Sequence, residues 1–354
     1  MTALPRWARR WITPILLVLT LAVSLVLLLA AVVPLGLLSV VWSPARKVLR
    51  LLVFAPVVLG TELVALAAAF GLWLTSGGTD AHYRALGRCV RVLVRTASKL
   101  FALHPDDEIR DWPTDRLRGS DHALLVLCRH AGPGDSVILL DALINRHGLR
   151  PRLVMKKSMR LDPVVDVYFN RLPAAFVTLE DNNGGSAQRT IRHLAQGLGR
   201  GDTVVMFPEG GNYTPRRHRR AIRHLARSGH HGDAARAHRL RNVMPPRPGG
   251  VLAVLDEVDV DVLVIGHSGI GRIHSTEDVW RSLEDPKPVG LKAWFVPSDE
   301  VPAAGQRRIG WLFDIWTTVD QWVEAETAAH GHRRAATTVS PQHEDCPKSE
   351  PTTS

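Results

Sequence analysis

Cysteine is nearly absent: Cys89, Cys128 and Cys346 are the only three in 354 residues, far apart and with no C-x-x-C pair. That excludes a disulfide framework and a thiolate metal site, and a reducing compartment is the simpler setting. Acidic residues are also in deficit, 34 Asp and Glu against 44 Lys and Arg, leaving a formal net charge of +10. The histidines His218, His230 and His231 stand among arginines, surroundings that repel a cation, so no metal is expected there. No recognised nucleic-acid module accompanies the positive charge, and nucleic acid is not an expected partner.

Charge is missing altogether from residues 12–41, and Glu62 is the only charged residue in 51–74. At ~1.5 Å per helical residue these runs reach roughly 45 and 36 Å, more than the ~30 Å hydrocarbon thickness of a bilayer. Arg6, Arg9 and Arg10 precede the first run as they would in a signal peptide, but such a segment carries only about 7–15 apolar residues. Pro34 and Pro56 are placed to kink the helices, and Trp7, Trp11, Trp42 and Trp73 sit near their ends, where interfacial aromatics belong. Arg46, Lys47 and Arg50 lie between the runs, leaving two topologies open: a spanning pair, or a shallow hairpin on one face. In both, the chain after Leu74 returns to the side of the N-terminus, expected to be the cytoplasmic face of the cell membrane.

Beyond this anchor, Arg84, Arg88, Arg91, Arg95 and Lys99 recur at helical spacing opposite Leu86, Val90, Leu93, Val94, Ala97 and Leu100. The pattern predicts an amphipathic helix suited to an anionic lipid surface. After a polar connection at 104–122 come six short apolar runs, "ALLVLC", "RLVMK", "AAFVT", "TVVMF", "VDVLVIGH" and "LKAWFV", separated by helical patterns at 135–146, 186–198, 215–228 and 249–255. Strands without polar alternation, interleaved with helices, predict an α/β fold with a mainly parallel central sheet flanked by helices. A last helix is expected at 305–326. The expected organisation is a two-helix membrane anchor at 1–78, an α/β domain at 79–326 and a disordered polar tail at 327–354.

His130 directly follows "ALLVLC", at the carboxyl edge where open α/β sheets place their ligands. Gly132, Pro133 and Gly134 make a turn, and Asp135 suits the N-cap of the next helix. The turn can fold that carboxylate back onto the imidazole, fixing its tautomer so that the other ring nitrogen takes a proton from a hydroxyl. Ser136, in the first helical turn, is poorly placed as a nucleophile. A second strand–turn–helix block, "VVMFPEGGNYTPRR", places Phe207, Pro208, Glu209 and Gly210 at the end of a buried strand and starts a helix at Thr214-Pro215.

With His130/Asp135 as an H-x4-D block and Phe207 to Gly210 as F-P-E-G, the chain resembles the glycerolipid acyltransferase superfamily typified by 1-acylglycerol-3-phosphate acyltransferases. "MKKSMRLDPVVD" resembles that family's segment before its central motif, and "NVMPPRPGG", with Arg247 and Gly250, resembles a P-R-x-x-G segment of the lysocardiolipin branch. The resemblance covers roughly residues 121–266. It implies acyl transfer from acyl-CoA or acyl carrier protein, as co-substrate, to a hydroxyl of a lysophospholipid at a membrane, with no other cofactor. His130 would be the base, Asp135 its orienting partner, and backbone amides near the turns an oxyanion site. Phe207 to Gly210 and Arg247 would shape the acceptor site.

Two departures stand out. Arg129 precedes His130 where many members carry Asn or Ser, and Leu179 stands where the central F-I-x-R motif has arginine, leaving Arg171 or Arg189 as substitutes for holding a phosphate. The arginines of 215–241, with Lys156 and Lys157 beside them as candidates, suit donor phosphates, an acidic carrier protein or lipid headgroups. Two alternatives of other classes are an esterase using Ser268 of "VLVIGHSGIG", an imperfect nucleophile elbow, and a non-catalytic membrane-associated scaffold. "CRHAG" is similar to the R-H-G of histidine phosphatases, but Ala131 replaces the glycine and no matching phosphate pocket or second histidine can be assigned.

Overall fold

The structure, a computed structural model, describes residues 5–132, 134–178, 185–271 and 276–338. Pro133 of the turn, Leu179 of the central motif and Cys346 therefore lie outside the described residues. The six apolar runs form one sheet from β2 (Ala123–Cys128), β3 (Pro151–Lys156), β4 (Ala174–Val177), β5 (Thr203–Met206), β6 (Val260–His267) and β8 (Leu291–Val296). Its order is β4-β3-β5-β2-β6-β8, parallel throughout except for β8, which runs antiparallel at one edge. A small parallel pair, β1 (Leu103–Pro105) with β7 (Lys287–Val289), stands beside it. β2 and β6 are buried along their whole length, which is why they read as continuous apolar runs.

Successive side chains of β2 point to opposite faces. Leu124, Val126 and Cys128 meet one helical layer, Leu125 and Leu127 the other. The first layer contains α1 (Arg6–Leu38), α2 (Ser43–Leu74), α3 (Thr79–Phe101) and the helices Asp135–Leu140 and Pro163–Tyr168. The second contains Gly185–Ala195, Pro248–Leu255 and Gln306–Thr338, whose Trp316 and Phe313 are wholly buried. Each such side chain contributes about 1.5–3 kcal/mol by leaving water.

The expected helix at 135–146 is α-helical only to Leu140 and continues as a wider π-helical turn, Asp141–Arg146. Within it Asn145 donates to both Gly87 O and Asp141 Oδ1 at 2.7 Å, tying the turn to α3. Helix Gln306–Thr338 runs past residue 326 into the segment expected to be a disordered tail. Apolar periodicity marks where a helix packs, not where it stops, and the alanine-rich stretch after Glu326 has no proline to end it until Pro341. Residues 339–354 lie outside the described residues.

Helices α1 and α2 are each long and apolar enough to cross a membrane, and only 6% of either apolar window is buried. The starts of α1 and of α2 nevertheless touch the α/β domain. At the start of α1, Arg9 makes a bidentate pair with Asp166, at 2.8 and 3.1 Å, with both residues buried. At the start of α2, beyond the far end of α1, Arg46 pairs with Glu284, and Lys47 and Arg50 donate to carbonyls of Arg281 and Leu283. A 33-residue helix is about 50 Å long, and a domain of this size is roughly 45 Å across. The hairpin therefore lies along the domain instead of projecting from it.

Candidate active site

Parallel register assembles the site. Leu127 pairs with Met206 of β5 and Cys128 with Ile265 of β6, so Glu209, three residues past the first pair, and His267, two past the second, arrive beside His130 at the carboxyl edge. These three strand ends are adjacent at the centre of the sheet.

His130 Nδ1 lies 2.8 Å from Asp135 Oδ2, so it donates its proton there and Nε2 is left as the base. Gly134, in the left-handed region at φ +86°, occupies the N-cap position expected of Asp135. Freed from capping, the Asp135 carboxylate turns back and accepts from the amides of Ala131 (2.8 Å) and Gly132 (3.2 Å), as well as from Ser136 Oγ (3.0 Å). Burial pushes the Asp135 carboxyl up, but hydrogen bonds from His130 and His267 and their charges outweigh it, holding the group far below the usual carboxylate range. It stays ionised throughout neutral pH. The amides of Ala131 and Gly132 are thus already engaged and do not serve as the oxyanion donors expected from the turn. The Ser136 hydroxyl, bound to Asp135, is no nucleophile.

His267, which sequence reasoning passed over, is buried with Nε2 3.5 Å from Asp135 Oδ2. Burial lowers its pKa against the pull of Asp135. Its signal was its position: it ends the strand-like run neighbouring that of His130.

Glu209 corrects a second expectation. It is 2% exposed, and its carboxylate points inward, accepting from His130 N–H and Met244 N–H at 3.0 Å each. It ties the ends of β2 and β5 to the segment 241–247 and does not face a substrate. Pro208 is buried too, its carbonyl accepting from Arg247 N–H at 2.9 Å. Phe207 lies against the His130 ring, centroids 4.8 Å apart. Arg129 is likewise turned inward, donating to His267 O and Asn242 O; it passes so close to Gly271 that a Cβ there would sit 2.7 Å from Nη2. Asp320 of the terminal helix accepts from the amides of Arg241, Asn242 and Val243, so this helix holds the segment that Glu209 and Arg129 grip.

Outside this buried frame the F-P-E-G turn is ringed by cations. Gly210, at φ +67°, leaves room for Arg247, whose Cδ would be 3.3 Å from an added Cβ. At Gly211 an added Cβ would meet Arg217 Nη1 at 3.3 Å and Lys156 Nζ at 3.5 Å. Partial burial, then Arg217 and Arg247, lower the Lys156 pKa; burial, then Arg217, lower that of Arg247. None of the three makes an ion pair with a carboxylate among the described residues. Three converging cations without a carboxylate make a seat for an anion. Lys157 is exposed at the start of a 3₁₀ turn, outside the cluster. Arg171 precedes β4, at the opposite edge of the sheet, and Arg189 is exposed with its Nε bonded to Gly185 O. Neither replaces the missing central arginine.

Beside the turn that follows His130, an apolar cavity of about 450 Å³ is lined by Phe54 and Val58 of α2, Val94 and Phe101 of α3, and Gly134 and Ile138 of the turn and the helix after it. Ser268, by contrast, is 1% exposed and packed beside Gly290, out of reach of any ester.

Comparison with protein families matches residues 105–264 to the family described as Acyltransferase. Comparison with curated proteins gives no match.

Proposed function

With an acyltransferase-family domain at residues 105–264 as premise, we propose that the protein moves a fatty acyl group from a thioester to a hydroxyl of a phosphate-bearing lysolipid. One observation carries this reading: the 2.8 Å His130–Asp135 pair adjoins the F-P-E-G turn with its cationic cluster, and the turn and helix that hold Asp135 line an apolar cavity. His130 Nε2 takes the hydroxyl proton as the oxygen attacks the thioester carbonyl. The tetrahedral intermediate expels the thiolate, which receives that proton from the imidazolium steadied by Asp135. Lys156, Arg217 and Arg247 hold the acceptor's phosphate, and a fatty chain occupies the apolar cavity, whose volume suits a ligand of that class. The test is incubation of purified protein and labelled acyl-CoA or acyl carrier protein with a panel of lysolipids. A diacylated product is expected; its absence from every lysolipid with both donors sinks the reading.

Arg247→Ala raises KM for a lysolipid phosphomonoester by roughly tenfold or more, the scale of one lost charge-assisted contact, with a smaller change in kcat. Steady-state kinetics check this, and an unchanged KM removes Arg247 from the phosphate site.

The same reading places the hairpin in one leaflet of the cytoplasmic membrane face, without crossing it. Its two anchoring contacts, Arg9–Asp166 and Arg46–Glu284, support this, since a spanning helix would carry one of them to the far side of ~30 Å of hydrocarbon. Basic α3, with Arg84, Arg88, Arg95 and Lys99 exposed, then meets anionic headgroups. A cysteine at Ser39, in a Cys346→Ser background, is expected to resist an impermeant maleimide in intact cells and to react after permeabilisation. Labelling in intact cells would indicate a full span.

A further inference from the structure

A buried histidine reaches the Asp135 carboxylate from a second strand, and the reaction above gives it no task. The close donors to Asp135, which are His130 Nδ1, the amides of Ala131 and Gly132, and Ser136 Oγ, all belong to the turn that carries it. His267 comes instead from the end of β6, with Nε2 3.5 Å from Asp135 Oδ2. The sheet holds it there. Its backbone pairs with Leu291 of β8, and its carbonyl accepts from the buried Arg129 guanidinium. At the preceding Gly266 an added Cβ would meet the Trp294 ring at 3.0 Å, so the strand end has little room to shift.

The surroundings decide where the ring carries its proton. With Asp135 and Arg129 it lines a narrow crevice whose other walls include Ile138, Leu139, Ile270 and Val289. Burial, with Arg129 and His130 adding to it, lowers the His267 pKa against the pull of Asp135, so the imidazole is neutral at neutral pH. Neither ring nitrogen makes a close hydrogen bond elsewhere among the described residues. A single proton on Nδ1 would leave the Nε2 lone pair facing an ionised carboxylate across 3.5 Å, which is repulsive. On Nε2 it points a donor at that carboxylate. The separation is long for such a bond, as catalytic contacts commonly are before substrate binds.

We propose that His267 is a positioning residue: neutral, with its proton on Nε2, it donates to Asp135 and holds from a second strand the carboxylate that orients His130. It touches no reacting atom and acts through Asp135. Donors within the turn fix the carboxylate only relative to that turn, whereas a donor on β6 fixes it relative to the sheet. His130 Nε2 then keeps its line to a hydroxyl seated at the F-P-E-G turn, which the sheet also carries. This rests on the acyl-transfer reading and deepens it. The test compares the full chain with its H267F and H267Q variants; Phe fills the space without a donor, and the Gln amide nitrogen stands where Nε2 stands. Kinetics with palmitoyl-CoA or palmitoyl carrier protein and a lysolipid phosphomonoester are read beside thermal melting. NMR of the isotope-labelled histidines reads the proton position on each ring.

H267F is expected to lower kcat roughly tenfold, the scale of one lost hydrogen bond to a charged group, with KM for both substrates unchanged. H267Q should recover most of that loss. In the unmodified chain the His267 ring, identified by the resonance missing from H267Q, should carry its proton on Nε2 near neutral pH. In H267F the His130 Nδ1 proton should move to lower field, since Asp135 with one donor fewer accepts more strongly from it. A folded H267F with undiminished kcat overturns the proposal, as does an equal loss in H267F and H267Q, which makes the ring a packing element only. A proton on Nδ1, or on both nitrogens, overturns it too. Should H267F fail to fold, the tautomer and H267Q decide: Nε2–H with near-normal kcat sustains the proposal, and loss of kcat ends it. Should the unmodified chain transfer from neither thioester, the acyl-transfer reading fails, and the NMR arm still decides this one: Nε2–H with a moved His130 signal sustains it, and an unmoved signal ends it.

Discussion

Replacing His130 by alanine lowers kcat for acyl transfer by about a hundred- to ten-thousand-fold, the range expected when a positioned general base is lost. The arrangement makes this a clean test. The imidazole side chain bonds Asp135 through Nδ1, while the strand-end contact to Glu209 is made by the His130 backbone N–H and survives the substitution. Asp135 keeps its bonds from Ala131, Gly132 and Ser136, so the turn persists. Membrane partitioning and thermal stability should change little while the rate collapses. A folded His130→Ala protein with an undiminished rate would remove the base from the mechanism.

Glu209→Ala has the largest expected effect on stability. It leaves the buried amides of His130 and Met244 without their acceptor, at about 1–3 kcal/mol each, before any cost of the cavity. For a chain of this size a kcal/mol moves Tm by roughly 2–4 °C, so melting should fall by about 5 °C or more, with loss of activity as the His130 strand end loosens. The effect depends on pH, and its sign follows from the environment. Burial pushes the Glu209 carboxyl up from 4.5 to about 8, against Arg129 and the two amides. A folded-state pKa above the unfolded one gives stability that is whole below about 4.5 and is lost as pH rises through about 8, at up to about 1.4 kcal/mol per unit. The gap in melting temperature between wild type and variant should therefore narrow from pH 5 to pH 8. Asp135 acts in the opposite sense, contributing above its ordinary value and losing that contribution only on strong acidification. A gap that widens with pH would mean that Glu209 is an ordinary ionised carboxylate.

Much of the site was legible because it is local. His130 and Asp135 are five residues apart on one turn, and six strands announced themselves as apolar runs because both sheet faces are covered. Less legible was anything made by alignment of separate strands. His267 and Arg129 look like ordinary strand-end residues until register sets them beside Asp135 and Asn242. Glu209 looked like a ligand for the acceptor because its motif ends at the right edge; which way its carboxylate points depends on two amides supplied by other segments. Helix His231–Arg239 escaped notice because its buried hydrophobic face is only Ala234 and Ala237, too little for a periodic signal.

By itself the amino-acid order determined the layered α/β plan, the apolar hairpin and the His130–Asp135 turn, since each follows from periodicity, run length or short-range geometry. Only the tertiary structure decided that Glu209 and Arg129 face inward, that Lys156, Arg217 and Arg247 converge on one glycine turn, and that α1 and α2 each touch the domain at their starts. Those outcomes depend on which distant segments become neighbours, and a buried charge or amide takes its partner from whatever packing brings within hydrogen-bond reach.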